Sequence, residues 1–408
     1  MGRALRTTIR AAFPMMAAEA VKTALGIVAG AALARALHPE GRGLYAAIVS
    51  IATTAVLIGH WSLNTSQIAF WPHRVLRARL AGNAVVIGFG MGTITALLAF
   101  AAAAACDPRT ATPALAIALA SVPFTVCWLN LRGVLLLRGR TRLVNQAQLA
   151  SGFAQYLPIL ALAAFDLLTL TAVVACWAAA SVPAVLRFTG ALGARALRPA
   201  RALAVRQLAL SGRYHLGLVA FHLLPAADTL LLGFLHSPRE AGFYTVAAGV
   251  LMLVKIPTEA VAHVCLPGQA DGTDSGSRAV TAHMLTLNLV IALGCVALIA
   301  AGAAYALPFV YGPPYAASVA PLLALAPAAV MAALIKPVEQ HLARLARPRP
   351  MTMITLSALA LNLGLDTALI PAWGATGAGV ASSITHAATA ALMIAWFVRS
   401  PEVSRPGR

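Results

Sequence analysis

Apolar residues in this chain run in long blocks separated by short polar breaks, and the pattern continues almost from end to end. Twelve such blocks fall at about 12–37, 43–70, 82–105, 112–137, 143–165, 168–190, 211–235, 242–268, 280–307, 317–343, 350–371 and 376–398. A helix needs about 20 apolar residues to cross roughly 30 Å of hydrocarbon, and every block exceeds that length. The pattern predicts an all-α polytopic membrane protein with about twelve transmembrane helices. Composition agrees: 60% of the residues are apolar and only 10% are charged, with a mean hydropathy of +0.82. No soluble core could hide so many apolar runs.

A net charge of +18 would point to nucleic acid if the basic residues were spread over one solvated surface, so their placement decides the matter. With spans alternating in direction, twenty-one arginines fall on one face and only Arg35, Arg42, Arg109 and Arg239 on the other. That asymmetry is the positive-inside rule. It places both termini in the cytoplasm and removes nucleic acid as a partner. The first block is too long for a cleaved signal segment and reads as a retained helix. Loops on the arginine-poor face are too short to fold into a domain, which argues against a membrane glycosyltransferase.

Charges inside the blocks are the most informative residues. All three lysines lie within spans, each with a glutamate one turn away: Glu19 with Lys22, Lys255 with Glu259, and Lys336 with Glu339. Spacings of three and four share a helix face and permit an ion pair. A charge at mid-membrane costs about 2.5–3.5 kcal/mol on insertion scales and normally faces protein or a watery cavity. Asp228, Asp366, Arg132 and Arg213 add unpaired charge, and His263 extends the Lys255–Glu259 ridge. Together they predict a polar passage through a helical bundle. Lysine and arginine suit an anion such as pyrophosphate, whereas Glu19, Asp228 and Glu259 suit coupling to protons or sodium. His60, Asn64 and Gln67 fall at i, i+4 and i+7 in the second block, where they read either as sugar contacts or as interhelical hydrogen bonds. Asn145, Gln148 and Gln155, with Gly152, form a second such stripe in the fifth block. Prolines 14, 123, 158, 183, 225, 257, 327 and 337 interrupt spans and predict kinks.

No catalytic triad, carboxylate dyad, P-loop, GxGxxG or HExxH motif occurs, so no enzyme activity, cofactor or ATP-driven pump is expected. Five scattered cysteines form no metal or disulfide spacing and read as small apolar residues.

The midpoint of the chain carries its longest polar stretch, about 187–206, and two local matches point to a repeat. The pattern P-x-x-x-G-x-Y occurs at Pro39–Tyr45 and again at Pro238–Tyr244, offset by 199 residues; Pro123 precedes Arg132 by nine, as Pro327 precedes Lys336. Two six-helix lobes are expected, at 1–200 and 201–408, around a central cavity.

Several runs then carry a family resemblance. Leu230-Leu231-Leu232-Gly233 is followed by Gly242-Phe243-Tyr244-Thr245-Val246-Ala247 and by Phe309-Val310-Tyr311-Gly312-Pro313-Pro314-Tyr315. Leu361-Asn362-Leu363 and Leu369-Ile370-Pro371-Ala372-Trp373-Gly374 come later, and Leu33-Ala34-Arg35 leads into Gly43-Leu44-Tyr45 near the start. In order and spacing these resemble the polysaccharide exporters, the Wzx-type flippases of the MOP (MATE-like) transporter superfamily. The resemblance implies two six-helix lobes opening alternately to each side of a bacterial cytoplasmic membrane. The cargo it implies is an undecaprenyl-pyrophosphate-linked oligosaccharide moved to the outer leaflet, with a polysaccharide polymerase and glycosyltransferases as partners. On that reading Lys22, Arg132, Lys255 and Lys336 attract the pyrophosphate, His60, Asn64 and Gln67 receive sugar, and Glu19, Asp228 or Glu259 couple the cycle to an ion. A MATE-type multidrug or cation antiporter is the alternative within the superfamily.

Overall fold

The computed structural model describes residues 2–71, 73–106, 111–193, 198–271, 274–344 and 348–399, and these form helices joined by short turns with no strand among them. In chain order the helices are α1 (Gly2–His60), α2 (Leu63–Phe70), α3 (Arg74–Cys106), α4 (Pro113–Ala120), α5 (Val122–Leu137), α6 (Thr141–Ala164) and α7 (Leu170–Ala179). They continue with α8 (Val182–Leu192), α9 (Arg201–Leu235), α10 (Pro238–Leu251), α11 (Lys255–Asp271), α12 (Asp274–Tyr311), α13 (Val319–Arg344) and α14 (Pro348–Arg399). Among the described residues, nine helical stretches are long and apolar enough to cross a membrane.

Two of the nine, covering Val21–Phe70 and Pro350–Arg399, run to 50 residues each, about 75 Å if straight. Neither is straight. His38 leaves helical geometry at φ 56 and Gly374 at φ 53. At Gly374 the chain doubles back: a Cβ placed on Gly377 would lie 2.5 Å from the Leu369 carbonyl oxygen, whereas eight residues along a straight helix are about 12 Å apart. Glu240 secures this corner, its carboxylate accepting the Ala375 amide proton at 2.8 Å, so an acidic side chain caps the start of the returning helix.

Helix starts follow local rules. Thr112, Thr169 and Ser237 cap α4, α7 and α10 by accepting the amide three residues on, and Pro113 and Pro238 occupy first-turn positions where a missing N–H costs nothing. The tripeptide Ser-Val-Pro occurs at 121–123 and at 181–183, and each instance divides a span, separating α4 from α5 and α7 from α8. The expected interruptions at Pro123 and Pro183 are therefore present. Helices α6 and α13 run through Pro158, and through Pro327 and Pro337. At Pro327 the neighbouring hairpin repairs the ladder: Ser383 Oγ donates to the Ala324 carbonyl at 2.6 Å and accepts from the Ala328 amide at 3.2 Å.

The chain divides into two compact units, Met1–Val219 and Ala220–Arg408. The boundary falls inside α9, so the first part of this helix belongs to one unit and the second part to the other. In the first unit the tightest packing lies between α3 and α5. Cβ atoms added at Gly88 and Gly92 would fall 2.7 Å from Cys127 Cα and 2.6 Å from Pro123 Cα. This is small-residue packing, which lets membrane helices approach closely where lipid supplies no hydrophobic drive. Around it Leu80, Ala84, Leu131, Val134, Leu135 and Phe188 form a buried core.

The start of α9 is fastened to the same unit by polar contacts. Fully buried Asn83 of α3 donates to Gln207 at 2.8 Å and accepts from the Ala200 amide at 2.7 Å. Between α1 and α2 the backbone unwinds at Trp61 and Ser62, with φ of 50 and 48, values that are uncommon for such residues. Residues of α9 hold the break: Trp61 Nε1 donates to the Leu208 carbonyl at 3.0 Å, and Ser62 Oγ lies 3.0 Å from His215 Nδ1.

Gly92→Leu is expected to prevent correct packing of α3 on α5, while Gly92→Ala lowers stability by about 1–3 kcal/mol, the usual cost of overpacking. Thermal unfolding of the purified protein in detergent checks both; an unchanged midpoint for Gly92→Leu contradicts the close approach.

Candidate functional site

The second unit holds a buried cluster of acids and hydroxyls. Asp228 on α9 is 1% exposed and Asp366 on α14 is 0% exposed. They lie 138 residues apart in sequence, yet each carboxyl group lies close enough to act electrostatically on the other. The hydroxyl of Tyr244 on α10 donates to Asp228 Oδ2, and Ser382 Oγ donates to the same oxygen at 2.5 Å. These two donors leave Asp228 Oδ1 and both oxygens of Asp366 with no donor among the described residues. One turn before Asp366, buried Asn362 also keeps its side-chain oxygen without a partner.

Local structure explains the convergence. Asn362 and Asp366 stand in the arm of α14 before Gly374 and Ser382 in the arm after it, so the reversal at Gly374 brings them together. Gly379 sets the second arm close to α13, where an added Cβ would lie 3.0 Å from Ala324 Cβ and 3.1 Å from the Pro321 oxygen. Tyr244 comes from the P-x-x-x-G-x-Y pattern, in the second turn of the helix that Ser237 caps.

Two carboxylates in contact cannot both stay charged without compensation, since even after relaxation a buried ion costs several kcal/mol. Two hydroxyl donors on one oxygen do not offset that. A shared proton or a monovalent cation does, and the unpartnered oxygens of Asp228, Asp366 and Asn362 are hard ligands suited to either. A track leads away from the pair: His386, one turn beyond Ser382, bonds the Ser382 carbonyl through Nδ1 at 2.8 Å. The charges of both Asp228 and Lys255 act on His386. Lys255 itself is exposed at the start of α11, directly after a 3₁₀ turn at Met252–Val254.

Other residues singled out by the sequence are placed as follows. Lys336 and Glu339 form an ion pair at 3.1 Å on α13. Lys255 and Glu259 are both exposed on α11. Lys22 lies along α6, where a Cβ on Gly152 would come 3.1 Å from its Cγ, so the glycine of the fifth-block stripe makes room for the lysine stem. Arg132 is half-buried, its guanidinium 5.9 Å from the Trp128 ring centroid. The side chains of Glu19, Arg213 and His263 lie outside the described residues.

The proposed stripe of His60, Asn64 and Gln67 needs correction. It assumed one continuous helix, but the unwinding at Trp61 and Ser62 puts His60 on α1 and the other two on α2, so the three do not share a face. Gln67 is 0% exposed and donates to the Asn130 carbonyl at 2.9 Å. It is an interhelical hydrogen bond, and cargo does not reach it in this conformation. Asn64 is exposed and half-buried His60 stands at the end of α1.

The sequence showed Asp228 and Asp366 as separate unpaired acids; their pairing, and the roles of Tyr244, Ser382 and Asn362, were not foreseen. The repeat held a usable signal. The 199-residue offset that relates Tyr244 to Tyr45 relates Asp228 to Ala29, and the 204-residue offset of Lys336 to Arg132 relates Asp366 to Leu162. Ala29, Tyr45 and Leu162 pack in one apolar cluster of the first unit. If the expected repeat holds, the acid site of the second unit corresponds to apolar packing in the first.

A family profile described as polysaccharide biosynthesis protein matches residues 9–267. No curated protein matches the sequence significantly. Among solved structures, the fold is similar to the lipid II flippase MurJ in an inward closed conformation, with a TM-score of 0.77 at 11% identity over 94% of this chain and 87% of that one. It is also similar to an inward-facing multidrug resistance MATE family transporter of the MOP superfamily, at 0.74 and 14%, covering 92% and 94%. A MOP superfamily transporter from Pyrococcus furiosus matches at 0.67 and 15%, covering 97% and 95%. The chain has the MOP fold.

Removing one donor from a buried carboxyl leaves it undersatisfied, so Tyr244→Phe is expected to lower stability by about 1–3 kcal/mol. Supplying a neutral partner, Tyr244→Phe combined with Asp228→Asn recovers part of the loss. Thermal unfolding of the purified variants measures both; simple additivity contradicts a direct Tyr244–Asp228 contact.

Proposed function

The chain belongs to the polysaccharide biosynthesis protein family, and from this premise we propose that it is a membrane transporter that flips a lipid-linked oligosaccharide for glycan assembly. The cargo we assign is an undecaprenyl-pyrophosphate-linked oligosaccharide, moved from the inner to the outer leaflet by alternating access. The observation that carries a transport reading beyond family membership is the buried pair Asp228–Asp366, with its three carboxyl oxygens lacking donors. A purely structural acid pair would be better replaced by apolar residues, as at the corresponding positions of the first unit.

In this reading Asp228 and Asp366 take up a proton or a sodium ion, and the track through Ser382 and His386 relates that event to Lys255. Lys22, Arg132, Lys255 and Lys336 attract the pyrophosphate, with exposed Asn64 and His60 toward the sugars. Lipid tails stay in the bilayer. An inside-negative potential favours outward movement of the anion by about 2.3 kcal/mol per full charge per 100 mV, and cation uptake at the acid pair resets the empty carrier. Glu19 and Glu259 remain further candidates for coupling. The nine apolar stretches, two of them 50 residues long and broken at His38 and Gly374, together with α9, support about twelve crossings. The arginine asymmetry supports a bacterial cytoplasmic membrane with both termini inside. A polymerase and glycosyltransferases are the expected functional partners.

In cells whose polymer export depends on this protein, Asp366→Asn and the double variant Lys22→Ala, Lys255→Ala are each expected to cut export at least about tenfold, the effect of losing roughly 1.4 kcal/mol, at unchanged protein level. Lys22→Arg and Lys255→Arg retain most activity. Full export by the alanine double variant contradicts the reading and leaves a scaffold for glycan assembly. Drug resistance conferred by the intact protein, without any effect on polymer, favours the antiporter instead.

A further inference from the structure

The arginine-rich face of the first unit has no internal counter-charge. Its three connecting segments, 71–81, 138–142 and 187–206, hold eleven arginines and not one aspartate or glutamate. The unit's four acids, Glu19, Glu40, Asp107 and Asp166, all lie elsewhere in the sequence. No aspartate or glutamate of these segments neutralises their arginines.

One place on the face is shaped to receive an anion. Phe70, His73, Val75, Leu76 and Arg206 line an open pocket of about 420 Å³ where α2 ends, α3 begins and α9 passes. Its rim is built. Arg77 donates through Nε to the Trp71 carbonyl at 2.6 Å and stacks 4.7 Å from the Trp71 ring centroid, while Arg138 donates to the Arg77 carbonyl at 3.4 Å. The Arg206 guanidinium sits 5.6 Å from the Phe70 ring centroid, which orients the charge without neutralising it. Arg206 and His73 are exposed.

The surroundings identify the ligand class. Val75 is 87% exposed, Val205 60% and Ile68 62%, so apolar side chains that suit acyl chains flank two basic groups. Basic pockets between transmembrane helices at this level hold anionic lipid head groups. We infer that the Phe70–His73–Arg206 pocket binds the phosphate of an anionic membrane phospholipid, with its acyl chains along Ile68, Val75 and Val205. The bound lipid would neutralise Arg206 and hold the corner between α2 and α3 against α9, next to the unwound segment at Trp61 and Ser62. The inference rests on the family's membrane placement and does not depend on the identity of the cargo.

The test uses the intact purified protein in detergent, titrated with palmitoyl-oleoyl phosphatidylglycerol or with the phosphatidylcholine of the same chains, and read by native mass spectrometry. Wild type should retain phosphatidylglycerol preferentially. Arg206→Gln combined with His73→Gln should reduce that retention by about fivefold or more, with phosphatidylcholine unchanged, while Arg206→Lys keeps most of it. Arg187→Gln, on the same face but away from the pocket, should have no effect. Equal retention by the double variant overturns the proposal, as does an equal loss in Arg187→Gln, which would mean diffuse attraction. Displacement of phosphatidylglycerol by stoichiometric undecaprenyl phosphate also overturns it, reassigning the pocket to cargo. Polymer export, measured separately, reports on the transport reading and not on this one.

Discussion

Two aspartates pressed together where solvent does not reach them impose the condition that organises the second unit. Asp228 and Asp366 are essentially unexposed, and the donors to Asp228 among the described residues are the hydroxyls of Tyr244 and Ser382. Hydroxyl donors strengthen a carboxylate but do not balance a second charge beside it. In the proposed function the pair alternates between states that differ by a bound positive charge. Everything nearby serves to keep the two acids adjacent: the reversal at Gly374, the Glu240 cap on the returning arm, the close approach of Gly379 to α13, and the Ser383 stitch across Pro327. A site held this firmly can translate a change in charge into a change in helix position, because packed interfaces shift between discrete arrangements and do not deform continuously.

Helix α9 contributes residues to both units. Its first part is fastened to the first unit through Asn83–Gln207, Trp61–Leu208 and Ser62–His215, and its second part carries Asp228 in the other unit. One continuous helix thus joins the acid pair to an unwound stretch of backbone at Trp61 and Ser62, where positive φ values store local strain. The acid site is also one-sided: the first unit fills the corresponding volume with Ala29, Tyr45 and Leu162.

Fold class was legible in the sequence because membranes leave few choices. Blocks of apolar residues longer than 20 read as spanning helices, and nine such stretches are present among the described residues. The break at His38 and the doubling back at Gly374 fall where polar breaks separate blocks. Legibility ended where tertiary contacts decide. Lys336 and Glu339 pair because three residues along one helix suffice. Asp228 and Asp366 pair through a hairpin closure that no local spacing reports. The stripe of His60, Asn64 and Gln67 was misread because periodicity assumes regular helix, and nothing in Trp61-Ser62 announces two positive φ values. Gln67 shows the same limit from another side: an amide in an apolar block reads alike whether it faces a cavity or a neighbouring carbonyl.

The most direct measurement of the central claim is the charge displaced when the purified protein, reconstituted in liposomes adsorbed on a supported membrane, meets a jump in sodium or proton concentration without cargo. A shared site at Asp228 and Asp366 requires a transient current in the wild type that Asp366→Asn abolishes while the variant remains folded. An identical current in wild type and Asp366→Asn would contradict the account, as would no current at all from a protein fully competent in export.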